Sequence, residues 1–333
     1  MPAPPPTGGP VRATRHMDLS VILCTWNNAE RLRITLGAIA QCRVPLGLRW
    51  ELVLVNNNCT DDTDAVAAEF GERLPLVVVH ERTPGLSRAR NAGLTAASGG
   101  LVVFTDDDVR PVPDWIATYW RAFEERPEGH YFGGPLVSEF EGKSLSSDLV
   151  RFAPWSVKGL DWGKYERELK EGESLVSANF GCPRAAIEAV GAFDPALGLK
   201  GNATGVDGTG EESDLMARMR EDGWRPWYLP DALIHHFVPA SKTTLLHLGS
   251  RAESHGSRLA KIGGAEMVSR PEIAGVPLPL MVEGVGHWLR WQKNRVTGRS
   301  PGRHYIQLRR TIGKIRGSRT RWQAEQKRAG KLS

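Results

Sequence analysis

Three consecutive aspartates, Asp106, Asp107 and Asp108, directly follow the apolar segment 101–105 of this sequence. Carboxylates so close together repel one another unless a cation or a helix dipole compensates their charge. Because side chains alternate along a strand, Asp106 and Asp108 should lie on one side of it as a pair of hard oxygen ligands. Such a pair suits Mg²⁺ or Mn²⁺, which take their remaining ligands from phosphate and water. The other interpretation is an exposed acidic turn that caps the next helix.

Short apolar segments alternate with amphipathic ones along the first third of the chain. The spacing predicts helices from near Asn27 through Ile39, over 61–70 and over 86–97, and strands over 19–25, 51–55, 76–79 and 101–105. Strands that recur about every 25 residues with helices between them are typical of a doubly wound, mostly parallel sheet.

Polar residues stand at the carboxyl ends of three of these strands. The first strand ends at Thr25, Trp26 and Asn27, the second at the asparagines 56–58, and the fourth at the three aspartates. In parallel sheets, ligands bind outside the carboxyl ends of the strands. We therefore expect the three clusters to converge at one edge of the sheet and to form a ligand site.

The later elements are less regular. Residues 139–175 show no clear period, and the glycine-rich segment 198–210 predicts a mobile loop. Further elements are predicted as strands over 175–180 and 225–236 and as helices over 183–190 and 211–223.

Acidic residues and histidines in this second half are candidates for chemistry. Glu211, Glu212 and Asp214 fall in the first turn of the predicted helix 211–223, where they either serve a reaction or only complement the helix dipole. His235 and His236 are neighbours in a predicted strand, so at most one of them faces the site.

The composition narrows the class of protein. The 333 residues, 41% of them hydrophobic, suffice for about two domains. Four cysteines without paired spacing exclude a disulfide scaffold and a zinc site. The chain has no apolar run long enough for a transmembrane helix, and the Pro/Gly-rich segment 1–16 is predicted to be disordered and is no secretory signal. A cytoplasmic location is the default expectation.

Five motifs, taken in order, resemble those of family 2 glycosyltransferases with the GT-A fold. They are SVILCTWNNAERL (20–32), ELVLVNNNCTDDT (51–63), GLSRARNAGLTAASGGLVVFTDDDV (85–109), GAFDPALG (191–198) and GEESDL (210–215). The resemblance implies an α/β GT-A-type domain over 17–240 and an inverting transfer of sugar from a nucleotide-sugar, UDP-linked by preference, to a hydroxyl acceptor. Two departures from the family pattern are asparagine in place of aspartate after the second strand and Glu212 in place of the aspartate base.

The resemblance also implies roles for individual residues. Asp108, with Asp106 and His236, would bind the divalent cation, and Glu212 would be the general base, with Glu211 and Asp214 as alternatives. The nucleotide-sugar would be bound by Thr25, Trp26, Asn27, Asn57, Arg90, Asn91, Asp106 and Asp107.

Two rival functions predict different features. A sugar-phosphate nucleotidyltransferase also uses a doubly wound sheet and Asp-bound Mg²⁺, but it normally has a glycine-rich loop after the first strand, where this chain reads CTWNNAERL. A non-catalytic nucleotide- or glycan-binding module would bind the donor without turnover. The acidic residues at 211–214 argue weakly against such a module.

The C-terminal part of the chain is strongly basic. Residues 284–333 contain 14 Lys and Arg against one acidic residue, which leaves a net charge of −8 on the rest of the chain. The region 241–333 is predicted to be helical, and an apolar stripe in it includes Tyr305, Leu308, Ile312, Ile315 and Trp322. Such a helix either contacts an anionic membrane surface, at the inner face of the membrane, or docks on the catalytic domain. Nucleic acid is not an expected partner, because no nucleic-acid-binding motif accompanies the charge.

Overall fold

The computed structural model describes residues 17–126, 128–198, 210–262, 272–300 and 302–329. The predicted disordered segment 1–16 and most of the predicted mobile loop 198–210 lie outside the described residues.

The strands form one large sheet and two small ones. Their bounds are β1 Leu19–Thr25, β2 Trp50–Asn56, β3 Leu76–His80, β4 Leu101–Asp106, β5 Val109–Pro111, β6 His130–Gly133, β7 Leu136–Phe140, β8 Arg167–Glu168, β9 Asn179–Pro183, β10 Arg225–Tyr228, β11 Ile234–Val238, β12 Glu272–Ile273 and β13 Val276–Pro277. The large sheet has the order β3-β2-β1-β4-β9-β6-β10-β8, a second sheet has the order β5-β11-β7, and β12 pairs with β13.

Helices cover the large sheet and make up most of the C-terminal region. Their bounds are α1 Ala29–Ile39, α2 Thr63–Phe70, α3 Leu86–Ala96, α4 Trp115–Glu125, α5 Ser147–Val150, α6 Trp155–Lys158, α7 Arg184–Val190, α8 Glu211–Glu221, α9 Leu245–Ile262, α10 Leu278–Val296 and α11 Gly302–Arg328, with a 3-10 turn over Ala240–Thr243.

The central sheet is mostly parallel, as predicted. Strands β3, β2, β1 and β4 run in one direction, β9 runs opposite to β4 and β6, and β10 runs parallel to β6 and opposite to β8. The chain from β1 to β4 therefore forms the predicted βαβ units, and β1, β2 and β4 are almost completely buried. Burial on both faces explains why these strands are continuous apolar runs.

Two predictions for the second half were wrong in detail. The single strand predicted over 225–236 is two strands, because Pro230 and Asp231 interrupt it: β10 joins the large sheet and β11 joins the sheet of β5 and β7. The strand predicted over 175–180 begins only at Asn179. Leu175 is buried without strand pairing, so its apolar character reflects packing.

The C-terminal helices pack on one another and on the α/β domain. Ala153, Val157 and Val238 share a second buried cluster with Leu248 of α9 and Ile306 of α11. Glycines bring α9 and α11 into backbone contact, since a Cβ built on Gly313 would lie 2.0 Å from the carbonyl oxygen of Glu253. Of the predicted stripe, Tyr305 packs against this second cluster and Trp322 packs on Gly275, so these two stripe residues dock within the chain.

Candidate active site

Asp107 is held by residues at the end of β1. The Thr25 hydroxyl donates to Asp107 Oδ2 at 2.6 Å, and the Asn28 amide donates to Oδ1 at 2.8 Å. Burial and the neighbouring Asp108 charge raise the pKa of Asp107 to about 7, against the effect of these two donors. Thr25 and Asp107 thus fix the β4 turn against the start of α1, and their roles toward a nucleotide remain predictions.

Arg90 of α3 is buried between two of the predicted acidic clusters. Its side chain is only 2% exposed, and it donates to Glu211 Oε1 at 2.8 Å and to the Ser177 hydroxyl at 2.9 Å. It also lies 3.4 Å from Asp106 Oδ1. One guanidinium therefore connects the carboxyl end of β4 with the first turn of α8.

Asp108 packs against β11 and the 3-10 turn that follows it. His236 Nε2 lies 3.3 Å from Asp108 Oδ1, and Lys242 Nζ lies 3.4 Å from Oδ2. Burial raises the pKa of Asp108, but the hydrogen bonds and charges of His236 and Lys242 outweigh it and leave the pKa below its usual value. Asp108 is 14% exposed, so the interpretation of an exposed acidic turn does not describe it.

The three acidic residues of α8 have different surroundings. Glu211 is buried on Arg90, which lowers its pKa despite the cost of burial. Burial and the adjacent Glu211 carboxylate raise the pKa of Glu212. Asp214 instead pairs with Arg218 at 3.0 Å, and Arg218 in turn binds backbone carbonyls over 190–192. Among the described residues, no arginine forms a salt bridge with Glu212, whereas Glu211 and Asp214 each have one. Of the three, Glu212 holds a proton most readily, because its pKa is raised.

The loops after β1 and β2 are tied together. Asn27 and Asn58 adopt left-handed backbone conformations with φ of 49° and 58°, and the Asn27 side chain accepts from the Thr60 N–H at 2.7 Å. The Asn57 amide donates to the carbonyls of Glu81 and Thr83, while its oxygen accepts from the Gly85 N–H. The Asn57 side chain is thus occupied in holding the segment that leads into α3.

Trp26 and Asn91 complete the predicted set. Trp26 is 43% exposed beside the tied loops. Asn91 of α3 donates to the Phe193 carbonyl at 2.8 Å and accepts from the Phe193 N–H at 3.0 Å, so it anchors the motif 191–198 to α3. The structure therefore gathers the predicted residues around β1, β2, β4 and α8, although several of them bind one another.

Three residues at the site were missed by sequence reasoning. Asn28 could have been found, because it continues the polar run after β1. Ser177 and Lys242 stand outside every motif, and only the fold brings them to Arg90 and Asp108.

The donor atoms around Asp108 fit a hard divalent cation. Carboxylate oxygens of Asp106 and Asp108 and an imidazole are ligands that Mn²⁺ accepts. His236 is 3% exposed, and its Nδ1 is buried without a hydrogen-bond partner. Within the described ranges, no three His, Cys, Asp or Glu side chains form a complete ligand set. An ion here would take its other ligands from phosphate and water.

The parallel sheet, with carboxylates from β4 and α8 at its carboxyl edge, defines an α/β protein of the GT-A type. Residues 20–176 match the sequence profile described as Glycosyl transferase family 2. This match agrees with the family that the motifs resemble, and glycosyltransferases are among the chain's curated relatives.

Three curated relatives show how far the similarity extends. Glucosyl-dolichyl phosphate glucuronosyltransferase of Haloferax volcanii is 29% identical over 191 residues, which cover 56% of this chain and 59% of that protein. Pre-mycofactocin glycosyltransferase of Mycobacterium tuberculosis is 29% identical over 237 residues, or 70% of this chain and 44% of that protein. Succinoglycan biosynthesis protein ExoM of Rhizobium meliloti is 26% identical over 263 residues, or 74% and 76%. This chain thus spans less than two thirds of the first two relatives.

A solved structure supports the fold. S. aureus TarS 1-349, crystallised in complex with UDP-GlcNAc, superposes with a TM-score of 0.54 at 14% identity, over 94% of this chain and 92% of that chain. At this identity the similarity concerns the fold alone. In the part of the chain that the structure describes, no helix is both long and apolar enough to cross a membrane.

Proposed function

We propose that this protein transfers a sugar from a nucleoside diphosphate sugar to a hydroxyl group of an acceptor, with inversion at the sugar carbon. The observation that carries the proposal is the buried Arg90, which holds Asp106 at the donor side and Glu211 at the acceptor side in one cluster. The names of two relatives, a glucuronosyltransferase and a glycosyltransferase, support glycosyl transfer, and UDP-GlcNAc in the TarS complex makes a UDP-sugar the first donor to test.

Glu212 is the proposed general base. The acceptor hydroxyl must lose its proton as it attacks, and a carboxylate can accept that proton. A raised pKa makes Glu212 a stronger base than an ordinary glutamate. Glu211 is less suited, because Arg90 holds its carboxylate, and Asp214 is paired with Arg218.

Charge develops on the leaving diphosphate as the bond to the sugar breaks. Asp108 and Asp106, with His236 beside them, are the residues we propose to hold Mg²⁺ or Mn²⁺. When bound, this ion stabilises the negative charge of the leaving group. Arg90 keeps Asp106 in place, while Thr25 and Asn28 keep the turn at Asp107 rigid. A single in-line attack then inverts the sugar carbon without a covalent intermediate.

The proposal is tested with a panel of nucleotide-sugars, each with and without Mn²⁺. A bound donor raises the melting temperature, and an acceptor releases nucleoside diphosphate from it. Asp108→Asn should lower Mn²⁺-dependent turnover by about 10²-fold or more. Asp114→Asn, at an exposed residue that pairs with Arg43, is the matched control and should retain turnover.

Three outcomes would contradict parts of this proposal. Unchanged Mn²⁺-dependent turnover in Asp108→Asn would remove the metal assignment. Stabilisation by a nucleotide-sugar without turnover would indicate a non-catalytic binding module. Release of pyrophosphate from a nucleoside triphosphate and a sugar phosphate would indicate a nucleotidyltransferase.

We also propose that an anionic bilayer is a partner of the basic region, through α10. The apolar residues Leu278, Val282, Val285, Leu289 and Val296 recur along α10 at spacings of three, four or seven, and all are exposed, Val282 at 72% and Leu289 at 55%. The opposite side of α10 faces α11, where Glu283 accepts from the Thr311 hydroxyl at 3.1 Å.

Charge complementarity argues for lipid as the occupant of this apolar stripe of α10. Exposed Arg290, Lys293 and Arg295 flank it, and Glu283 is the one acidic residue of the helix. Each basic residue near an anionic membrane contributes about 1 kcal/mol of attraction. A helix with an apolar stripe and basic flanks lies in the plane of the interface, which corresponds to a peripheral location.

Vesicle binding tests this surface. Leu289→Ser should weaken binding to phosphatidylglycerol-containing vesicles by about tenfold, because the side chain no longer enters the interface. Leu46→Ser, at a fully exposed residue of the loop between α1 and β2, should bind as the wild type does. If Leu289→Ser and Leu46→Ser bind these vesicles equally well, α10 is excluded as the contact. If the wild type binds pure phosphatidylcholine vesicles as tightly as those containing phosphatidylglycerol, a contribution of charge is excluded.

A further inference from the structure

Helix α9 carries a row of basic residues on one face. His247, Arg251, His255 and Arg258 are spaced by four, four and three residues, which places them along one side of the helix. This row is separate from the basic residues of α10. It also contains none of the residues proposed to hold the metal ion or to act as the general base.

Helix α11 adds two cations to the same place. A Cβ built on Gly256 would lie 2.2 Å from the carbonyl oxygen of Arg310 and 3.1 Å from the backbone nitrogen of Lys314, so the two helices touch beside His255. Partial burial and the charges of Arg310, Arg258, Lys314 and Arg251 lower the pKa of His255 to about 4. We call these four cations around His255 the α9 cation cluster.

The α9 cation cluster forms no close ion pair in the described part of the chain. None of its four cations has a carboxylate within 4.0 Å there. By contrast, Arg309 and Arg316 on α11 both bind the buried Glu253. Four like charges repel one another, and His255 and Arg310 are exposed, so an anion can reach the cluster from solvent.

The α9 cation cluster lies beside the proposed general base. The Arg258 side chain packs over Gly210, the residue before Glu211: a Cβ built there would lie 2.6 Å from Arg258 Cδ and 3.1 Å from Cζ. The carboxylates of Glu212 and Glu211 both act on Arg251, whose pKa burial nevertheless lowers. An anion bound by these arginines is therefore next to Glu212, on the acceptor side.

We propose that the α9 cation cluster binds a phosphate group of the acceptor and thereby presents the acceptor hydroxyl to Glu212. Guanidinium groups bind phosphate oxygens in a bidentate manner, and a neutral His255 can donate one further hydrogen bond. This inference rests on the proposed transferase function and adds the class of acceptor to it. The phosphate can belong to a lipid-linked or to a soluble sugar acceptor.

The test measures phosphate binding to the full chain with UDP and Mn²⁺ already bound, so that the donor site is occupied. Inorganic pyrophosphate, glucose 1-phosphate and farnesyl phosphate are titrated separately. The double variant Arg251→Gln/Arg258→Gln should weaken pyrophosphate binding by about tenfold or more, since each arginine makes a charged hydrogen bond. Arg319→Gln/Arg328→Gln removes the same charge from exposed positions of α11 and should not weaken it.

The outcomes separate this inference from the proposed function. Tighter binding of farnesyl phosphate than of glucose 1-phosphate assigns the cluster to lipid-linked acceptors, and equal binding assigns it to soluble ones. Equal loss of binding in both double variants, or no binding to wild type, overturns the inference. Stabilisation by a nucleotide-sugar is measured in parallel and reports on the donor site alone. If the double variant does not fold, Arg310→Gln at the exposed edge of the cluster provides the same comparison.

Discussion

Replacement of Glu212 by glutamine is expected to lower kcat by about 10²- to 10⁴-fold, the usual contribution of a general base. The amide keeps the shape of the side chain but cannot accept the acceptor's proton. Binding of the nucleotide-sugar should change little, because the residues proposed to bind it lie at the ends of β1, β2 and β4 and on α3, not on α8. The measurements are single-turnover rates and donor-induced stabilisation for wild type and variant.

The pH profile gives an independent check on Glu212. The base acts as a carboxylate, and its pKa is raised, so wild-type kcat/KM should fall as the pH decreases through a value above the ordinary range of glutamate. Asp214→Asn is the matched control on the same helix and should keep both the rate and this profile, because Asp214 is held by Arg218. A larger loss of rate in Asp214→Asn than in Glu212→Gln would move the base to Asp214.

Arg90→Met is expected to reduce the free energy of unfolding by about 3–5 kcal/mol, the usual effect of leaving a buried charge without its partner. Glu211 would lose the guanidinium that lies 2.8 Å from it and would remain almost completely buried. Chemical denaturation measures the loss. Arg88→Met, at an exposed position two residues away on α3, should change stability by no more than about 0.5 kcal/mol.

Two further measurements tie this loss to the buried charge. In the wild type, Arg90 contributes to the lowered pKa of Glu211. The stabilisation that this ion pair gives the folded state is therefore present above the ordinary glutamate pKa, and it declines as the pH falls through the lowered value. The difference between Arg90→Met and wild type should therefore be smaller in acid than at neutral pH. Adding Glu211→Gln to Arg90→Met should recover part of the stability. A pH-independent loss without recovery would assign it to packing.

Much of the α/β domain could be predicted because β1, β2 and β4 are buried on both faces, although β3 at the edge of the sheet is largely exposed. The units from β1 to β4 alternate between continuous apolar segments and amphipathic ones, which is a strong signal in a single sequence. Helix α4 was not predicted, although Trp115, Ile116 and Tyr119 follow Asp114 at helical spacing. The strands β6 and β7 are short, with four and five residues, and short strands give weak periodic signals.

The site was less predictable than the sheet because its contacts join distant parts of the chain. The sequence indicates that β1, β2 and β4 end at one edge, but Arg90 and Glu211 are 121 residues apart, and no local pattern pairs them. Asn57 illustrates the opposite error. Its position after β2 was predicted correctly, but its amide is used by the backbone of the segment that precedes α3.

The pairing of Glu253 with two arginines of α11 has a practical consequence for anyone who shortens this protein. Glu253 is 1% exposed and depends on Arg309 and Arg316 for its countercharge. A chain cut at residue 300 would retain α9 but expose Glu253 without its two arginines, together with apolar residues such as Leu248 that pack near α11. That exposed flank of α9 would favour aggregation. A minimal fragment should therefore end before α9 begins or retain all three C-terminal helices.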